Sequence, residues 1–231
     1  MPMEKEINIV FFGAPGAGKG TQAKKISQNL SLTHVDTGNL IREAISNKTV
    51  LGVKAKEFVE TGKLVPDELV IELIKEKLLD LKVKVFKGFV LDGYPRTITQ
   101  ADALEKMLEE LKIKLTSVIN IKVDKILLIP RLSSRRLCAN KTCGEIYNLI
   151  TSPPKVINKC DRCNSDLYQR KDDTEEAVKQ RLSEYNNKTA PLEQYYRNQK
   201  KLIDINGALS PDEVYNEIIN KVTGNNSCTL H

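Results

Sequence analysis

Gly13-Ala14-Pro15-Gly16-Ala17-Gly18-Lys19-Gly20-Thr21 follows the apolar run Ile7-Asn8-Ile9-Val10-Phe11-Phe12 and leads into Gln22 to Leu30, a stretch that can form a helix. A strand, a Gly-rich turn and a helix form the setting in which a phosphate-binding loop makes physical sense. Glycines admit positive φ and let several backbone N–H groups approach anionic oxygens. The helix N-terminus adds its positive end, and Lys19 adds a mobile cation. The pattern GxxxxGK[ST] holds through Lys19, but the next residue is Gly20 and the hydroxyl arrives one place late, at Thr21. Direct coordination of Mg²⁺ by a loop hydroxyl is therefore not expected. The competing reading is a Gly-rich turn that binds nothing.

Working outward, 231 residues are enough for one α/β domain with insertions. A net charge of +6, from 36 basic and 30 acidic residues, suits an anionic ligand but is no nucleic-acid-binding tail. The first residues, Met1 to Glu6, lack a signal-peptide apolar stretch, and no run approaches the roughly 20 apolar residues that span a bilayer. A soluble, cytoplasmic protein with no membrane or nucleic-acid partner is expected, with a monomer as the default. Only His34 and His231 are histidines, so a His-based catalytic triad is not expected, and His34 reads as packing near the end of a strand.

Strands are expected at 32–35, 89–91, 118–123 and 202–205, and helices at 40–45, 51–60, 69–81, 98–111, 125–136 and 174–199. Asp67 is expected to N-cap the third of these helices. Thr97 with Gln100 forms a capping-box pattern, Pro130 should kink its helix, and Ala190-Pro191 should break the long one. Ser210-Pro211-Asp212-Glu213 caps a final helix, and the tail from Asn225, containing Cys228, reads as disordered. Periodicity fails from Leu137 to Asp173, where turn residues dominate as in a small insert. The alternation implies a parallel sheet covered on both faces by helices, with ligands at the carboxyl ends of its strands.

Within that insert four residues separate Cys138 from Cys143, two separate Cys160 from Cys163, and sixteen lie between the pairs. In a reducing compartment such knuckles read as a tetrahedral Zn²⁺ site before they read as disulfides or free thiols. Four protein ligands leave no open coordination position, so the metal is expected to be structural.

Taken together, the loop, Asp36-Thr37-Gly38-Asn39-Leu40-Ile41-Arg42, Gly62-Lys63-Leu64-Val65, Asp92-Gly93-Tyr94-Pro95-Arg96-Thr97, Arg131 with Arg135-Arg136, Arg170-Lys171-Asp172-Asp173 and Arg181 resemble the adenylate kinases of the long, zinc-binding bacterial type. The resemblance covers almost the whole chain. It implies a P-loop core at 1–35, 66–133 and 174–231, a helical nucleoside-monophosphate-binding (NMP) segment at 36–65 and a zinc-binding lid at 134–173. It further implies reversible phosphoryl transfer from ATP to AMP, giving two ADP, with Mg²⁺. Gly16, Ala17, Gly18, Lys19, Gly20, Thr21, Arg131 and Arg135 would bind ATP, with Ile146, Tyr147 and Leu209 beside its adenine. Thr37, Gly38, Arg42, Val65, Gly93, Arg96, Gln100, Arg170 and Arg181 would bind AMP. Lys19, Arg96, Arg131, Arg135, Arg170 and Arg181 would act on the transferring group, and Asp92 would hold hydrated Mg²⁺. The chain departs from the family pattern at Asn39, where aspartate is usual, at Pro130, where an acidic residue is common, and in the wide first cysteine pair.

The chemistry is consistent with this residue set. The acceptor phosphate is already anionic, so no general base is needed, and cations and N–H groups suffice to position and neutralise the phosphoryl oxygens. Blander readings exist: solvated surface arginines, Gln100 completing its capping box, Asp92 capping a turn. Two rival functions are a kinase for another nucleoside monophosphate and a zinc-ribbon nucleic-acid-binding protein with a nucleotide switch. Mixed charge and few aromatics in the insert weigh against the latter.

Overall fold

The computed structural model describes residues 6–83, 87–140 and 142–224; the N-terminal residues 1–5 and the tail with Cys228 and His231 lie outside them. Along the chain run β1 (Ile7–Phe12), α1 (Lys19–Asn29), β2 (Thr33–Asp36), α2 (Thr37–Ser46), α3 (Val50–Glu60), α4 (Asp67–Val83), β3 (Gly88–Asp92), α5 (Ile98–Glu110), β4 (Ser117–Lys122) and α6 (Lys125–Ser133). After these come β5 (Arg135–Cys138), β6 (Ile146–Asn148), β7 (Leu167–Tyr168), α7 (Glu175–Glu184), α8 (Leu192–Asn198), β8 (Leu202–Asn206) and α9 (Pro211–Thr223).

The main sheet has the order β2-β3-β1-β4-β8 and is parallel throughout. The central strands β1, β3 and β4 are mostly apolar and almost wholly buried because both faces are covered, as parallel sheets require. Side chains of β1 alternate across the sheet. Val10 and Phe12 join the core beneath α2 to α5 and α8, while Ile9 and Phe11 join the one beneath α1 and α9. From β1 the chain runs first to β2 and β3 on one side and later to β4 and β8 on the other. The reversal leaves a crevice beyond the carboxyl end of β1, the place where such sheets bind ligands.

Several local expectations are corrected. Residues 134–136 are not helical: α6 ends at Ser133, Ser134 bonds through its N–H and hydroxyl to the Pro130 carbonyl, and Arg135 and Arg136 belong to β5. That strand pairs antiparallel with β6 and β7 in a separate three-stranded sheet. The long helix breaks earlier than Pro191, in a π turn at Tyr185–Thr189 between α7 and α8. Asp67 is the first residue of α4, not its cap; its carboxylate accepts from Thr97 Oγ1 and Gln100 Nε2, both at 2.8 Å. Thr97 does cap α5, but Gln100 Oε1 accepts from the Arg96 N–H at 2.7 Å, not from the cap's own N–H. Ser210 and Glu213 form a full capping box at α9.

The insert is tied to α1 and to α3. Lys24 of α1 donates to the Gly144 carbonyl at 3.0 Å and stands 3.5 Å from Glu145, while Lys171 pairs with Glu60 of α3 at 3.1 Å. Among the described residues, no helix is long and apolar enough to cross a membrane.

Candidate active site

The Gly-rich loop carries the chain from the end of β1 into α1. Gly13, at φ 133°, sits where a Cβ would come within 2.6 Å of the Ile121 carbonyl of β4, so no side chain fits there. Gly18 caps α1 in the left-handed conformation without a side-chain hydrogen bond, and the first turn of α1 has no acidic residue. That helix end thus keeps its N–H groups and positive end for an anion. The helix begins at Lys19, three residues before the expected Gln22. Lys19 Nζ donates to the carbonyls of Gly13 at 2.7 Å and Ala14 at 2.9 Å, so the loop closes around its own cation.

Gly20 accounts for the departure from the common loop pattern. A Cβ at that position would stand 3.1 Å from Asp92 Oδ2, so its absence gives the carboxylate at the end of β3 its room. Asp92 is 8% exposed, and its register partners are Phe11 on β1 and Asp36 on β2. Burial first, and then the neighbouring Asp36, push its pKa above the usual carboxylate value. A carboxylate so placed fits a divalent cation, whose charge would favour its ionised form.

Cations crowd this carboxylate. Lys19, Arg96 and Arg181 line one cavity together with Gly13, Gly93 and Tyr185. Burial, reinforced by Arg96, Arg181 and Arg135, pulls the Lys19 pKa down to about 8 against the attraction of Asp92. Burial, with Arg42 and Arg135 nearby, likewise pulls Arg170 down to about 10. Cations that depress one another in this way are poised to gain from a polyanion. Arg170 Nε is moreover buried without a hydrogen-bond partner among the described residues.

Two carboxylates that sequence reading left without a role hold the arginines in place. Asp173, fully buried, accepts two hydrogen bonds from Arg135, at 2.6 and 2.9 Å, and one from Arg181 at 2.9 Å. Arg181 also reaches Asp172 Oδ2 at 3.1 Å. Burial works against the Asp172 carboxylate, but Arg181, Arg42, Arg170 and Arg135 together outweigh it and hold its pKa below the usual value. The only sequence signal for this scaffold is the adjacency of the two aspartates to Arg170.

A second cavity adjoins the first. Thr37, Gly38, Arg42, Val65 and Gln100 line it, and both cavities share Gly62, Leu64, Gly93, Arg96 and Arg181. Arg96 sits at the junction because it folds back on its own turn: its Nε donates to the Gly93 carbonyl at 2.8 Å. Gly93, at φ 82°, makes this possible, since a Cβ there would stand 3.0 Å from Arg96 Nη2. Thr37 Oγ1 is buried without a partner among the described residues.

Other expected site residues lie outside these two cavities. Arg131 donates to the Gly207 carbonyl at 3.1 Å, which ties α6 to the loop carrying Leu209. Ile146 and Leu209 are each 39% exposed. Tyr147 is buried against the cysteines, its hydroxyl 3.5 Å from Cys160 Sγ and accepting from the Asp161 N–H at 2.7 Å, so its ring is committed there. His34 in β2 has Nε2 at 4.0 Å from Asp92 Oδ2.

The cysteines converge. Sγ atoms of Cys138, Cys143, Cys160 and Cys163 all lie within 4.8 Å of one another, with 3.4 Å from Cys138 to Cys163 and 3.7 Å from Cys143 to Cys160. Four sulfurs at about 2.3 Å from a tetrahedral centre would stand about 3.8 Å apart, so the set fits a metal ion such as zinc. The wide first knuckle is accommodated by Asn140, whose carbonyl accepts from Cys143 and Gly144 and whose Oδ1 accepts from Thr142.

Known proteins agree with this geometry. A model of the adenylate kinase family matches residues 11–201. The adenylate kinase of Archaeoglobus fulgidus is 47% identical over 212 residues, covering 92% of this chain and 96% of that protein. That of Methanocella arvoryzae is 49% identical over 208 residues, 90% of this chain and 94% of the relative. That of Thermosipho melanesiensis is 46% identical over 214 residues, 93% and 98%. With a phosphate-binding loop, a cation-lined double cleft and this degree of identity along nearly the whole chain, the protein belongs to the adenylate kinase family.

Proposed function

We propose that the double cleft transfers the γ-phosphoryl group of ATP to the phosphate of AMP, giving two ADP, with Mg²⁺ accompanying ATP. The observation that carries the reading is the pair of adjoining cavities that share Arg96 and Arg181. Two anionic ligands placed there meet across a common set of cations. In this reading residues 1–35, 66–133 and 174–231 form the core, 36–65 the NMP segment and 134–173 a lid held by zinc. Loop N–H groups from Gly16 to Thr21 and Lys19 cradle the ATP phosphates, with Arg131 and the region of Ile146, Tyr147 and Leu209 on the nucleotide's far side. Thr37, Gly38, Val65, Gly93 and Gln100 bound the AMP pocket, and Arg42 and Arg96 face its phosphate.

An oxygen of the AMP phosphate attacks the γ-phosphorus in line, and the bond to the β-phosphate oxygen of ATP breaks, releasing ADP. No proton has to be removed from the nucleophile, so the chain needs no general base. Lys19, Arg96, Arg135, Arg170 and Arg181 neutralise charge spread over the transferring oxygens. Asp92 would hold Mg²⁺ through its water shell, and the ion would supply charge neutralisation between phosphates. Excluding water prevents loss of the phosphoryl group to hydrolysis, and the contacts of Lys24 and Lys171 keep the insert over the cleft.

A coupled assay of ADP formation with AMP, UMP, CMP and GMP tests the acceptor. AMP is expected to lead by at least about tenfold in kcat/KM, because a pocket with placed polar groups discriminates strongly. Preference for another monophosphate would overturn the substrate, and turnover of none would overturn the activity. Arg96→Ala is expected to raise KM for AMP about tenfold while KM for ATP stays within about twofold, through loss of one charge-assisted phosphate contact. Separate titrations of the two nucleotides check this, and a loss confined to ATP would reverse the assignment.

A further inference from the structure

We propose that Asp36 is a positioning residue for the acceptor side of the reaction: with Asn39 and the bare backbone of Gly38 it forms a seat that holds the Arg42 guanidinium facing the AMP pocket. The inference rests on the reading that Arg42 meets the AMP phosphate. Nothing in that reading assigns Asp36 a part.

The seat is built from one helical turn. Asp36, the last residue of β2, caps α2 by accepting from the Asn39 N–H at 2.9 Å. Arg42 lies six residues after Asp36, and its side chain folds back toward this end of α2. Its Nη2 donates to Asn39 Oδ1 at 2.6 Å and stands 3.9 Å from Asp36 Oδ1. Gly38 makes room beneath it: a Cβ there would lie 3.0 Å from Nη2, 3.2 Å from Nη1 and 3.3 Å from Asp36 Oδ1. Arg42, Gly38 and Thr37 all line the second cavity.

The two partners divide the work. Asn39 supplies the directed hydrogen bond but carries no charge, and Asp36 supplies the charge from just outside hydrogen-bond range. Without it, the arginine, about 28% exposed, would keep a neutral acceptor and the longer-range attraction of Asp172, with no carboxylate within ion-pair distance to hold it in place. Asn39 is uncharged, so the negative charge beside Arg42 comes from three residues earlier, at Asp36. Placing it on the cap residue leaves the cap intact while serving the arginine.

This chemistry suggests a swap test. Asparagine caps a helix as well as aspartate does, so Asp36→Asn removes the charge and keeps the fold. If Asp36 acted only as the cap of α2 and as a neighbour of Asp92, AMP affinity would not change. On the positioning role, Asp36→Asn raises KM and the directly titrated Kd for AMP roughly fivefold, with KM for ATP and the melting temperature little changed. Asp36→Asn combined with Asn39→Asp returns a carboxylate to the same Nη2 and restores AMP affinity to within about twofold of the parent. Arg42→Ala, measured alongside, should raise KM for AMP at least about tenfold. Unchanged AMP affinity in Asp36→Asn, with Arg42→Ala impaired, overturns the positioning role alone. Failure of the double variant to recover overturns it too. An unimpaired Arg42→Ala overturns the assignment of Arg42 to AMP, and the inference with it.

Discussion

Lys19→Met is expected to cut phosphoryl transfer about a hundredfold, the loss of about 3 kcal/mol of transition-state stabilisation, with no fall in melting temperature at pH 7. Both halves follow from where the ammonium sits. Its Nζ is held by the carbonyls of Gly13 and Ala14 inside the loop that meets the phosphates, so it acts on charge that develops during transfer. Methionine keeps the length of the side chain but not the charge. For stability the sign is opposite to that of an ordinary paired lysine. Burial lowers the folded-state pKa from 10.5 to about 8, so below pH 8 the folded protein bears the full cost of keeping the proton on a buried amine. That cost fades as pH rises from about 8 to 10.5, where the unfolded chain still binds the proton that the folded chain has lost. At pH 7 the variant escapes the cost, and its melting temperature should be equal to or higher than that of the parent. A coupled assay and a thermal melt check the two halves. Near-parental turnover would remove Lys19 from the chemistry, and a marked drop in melting temperature would show that its role is packing.

The central strands β1, β3 and β4 were legible because each is a short, mostly apolar run that is buried on both faces, whereas β2, Thr-His-Val-Asp at the sheet edge, gave only a weak signal. What eluded sequence reading depends on partners far along the chain. Arg135 and Arg136 continue an apolar helical pattern through Leu132, yet they are drawn into a strand by β6 and β7, and no local window contains those partners. Asp67 has the composition and place of a cap, but its carboxylate is claimed by Thr97 and Gln100, thirty residues on. The helix start at Lys19 was missed because Gly18 and Gly20 have poor helix propensity, which the loop's fixed geometry overrides. Of the site, the glycines and arginines could be read from their motifs. The acidic frame of Asp172 and Asp173 could not, since a buried aspartate looks like a surface one until its arginines are placed around it.

Stripping zinc with a strong chelator is expected to lower the melting temperature by about 10 °C while measurable kinase activity remains at moderate temperature. Four thiolates would fill a tetrahedral coordination shell, leaving a bound zinc no position for substrate or water and no part in catalysis. What it would do is close the insert. Among the described residues the apolar cluster there consists of Cys138, Tyr147 and Cys160, with Cys143 and Leu167 packed beside it, too little to hold three short strands. Binding energy at such a site acts as local folding energy. If about 3 kcal/mol of it is felt in global unfolding, a chain of this length should lose about 10 °C. The remainder is spent in ordering the insert, whose loosening precedes loss of the core. The core itself, with β1, the loop and Asp92, has its own two apolar clusters and should outlast the metal. Elemental analysis should find about one zinc per chain, as a single closed site requires. An unchanged melting temperature in metal-free protein would overturn the structural role. So would activity that vanishes and returns only with zinc while the melt stays the same.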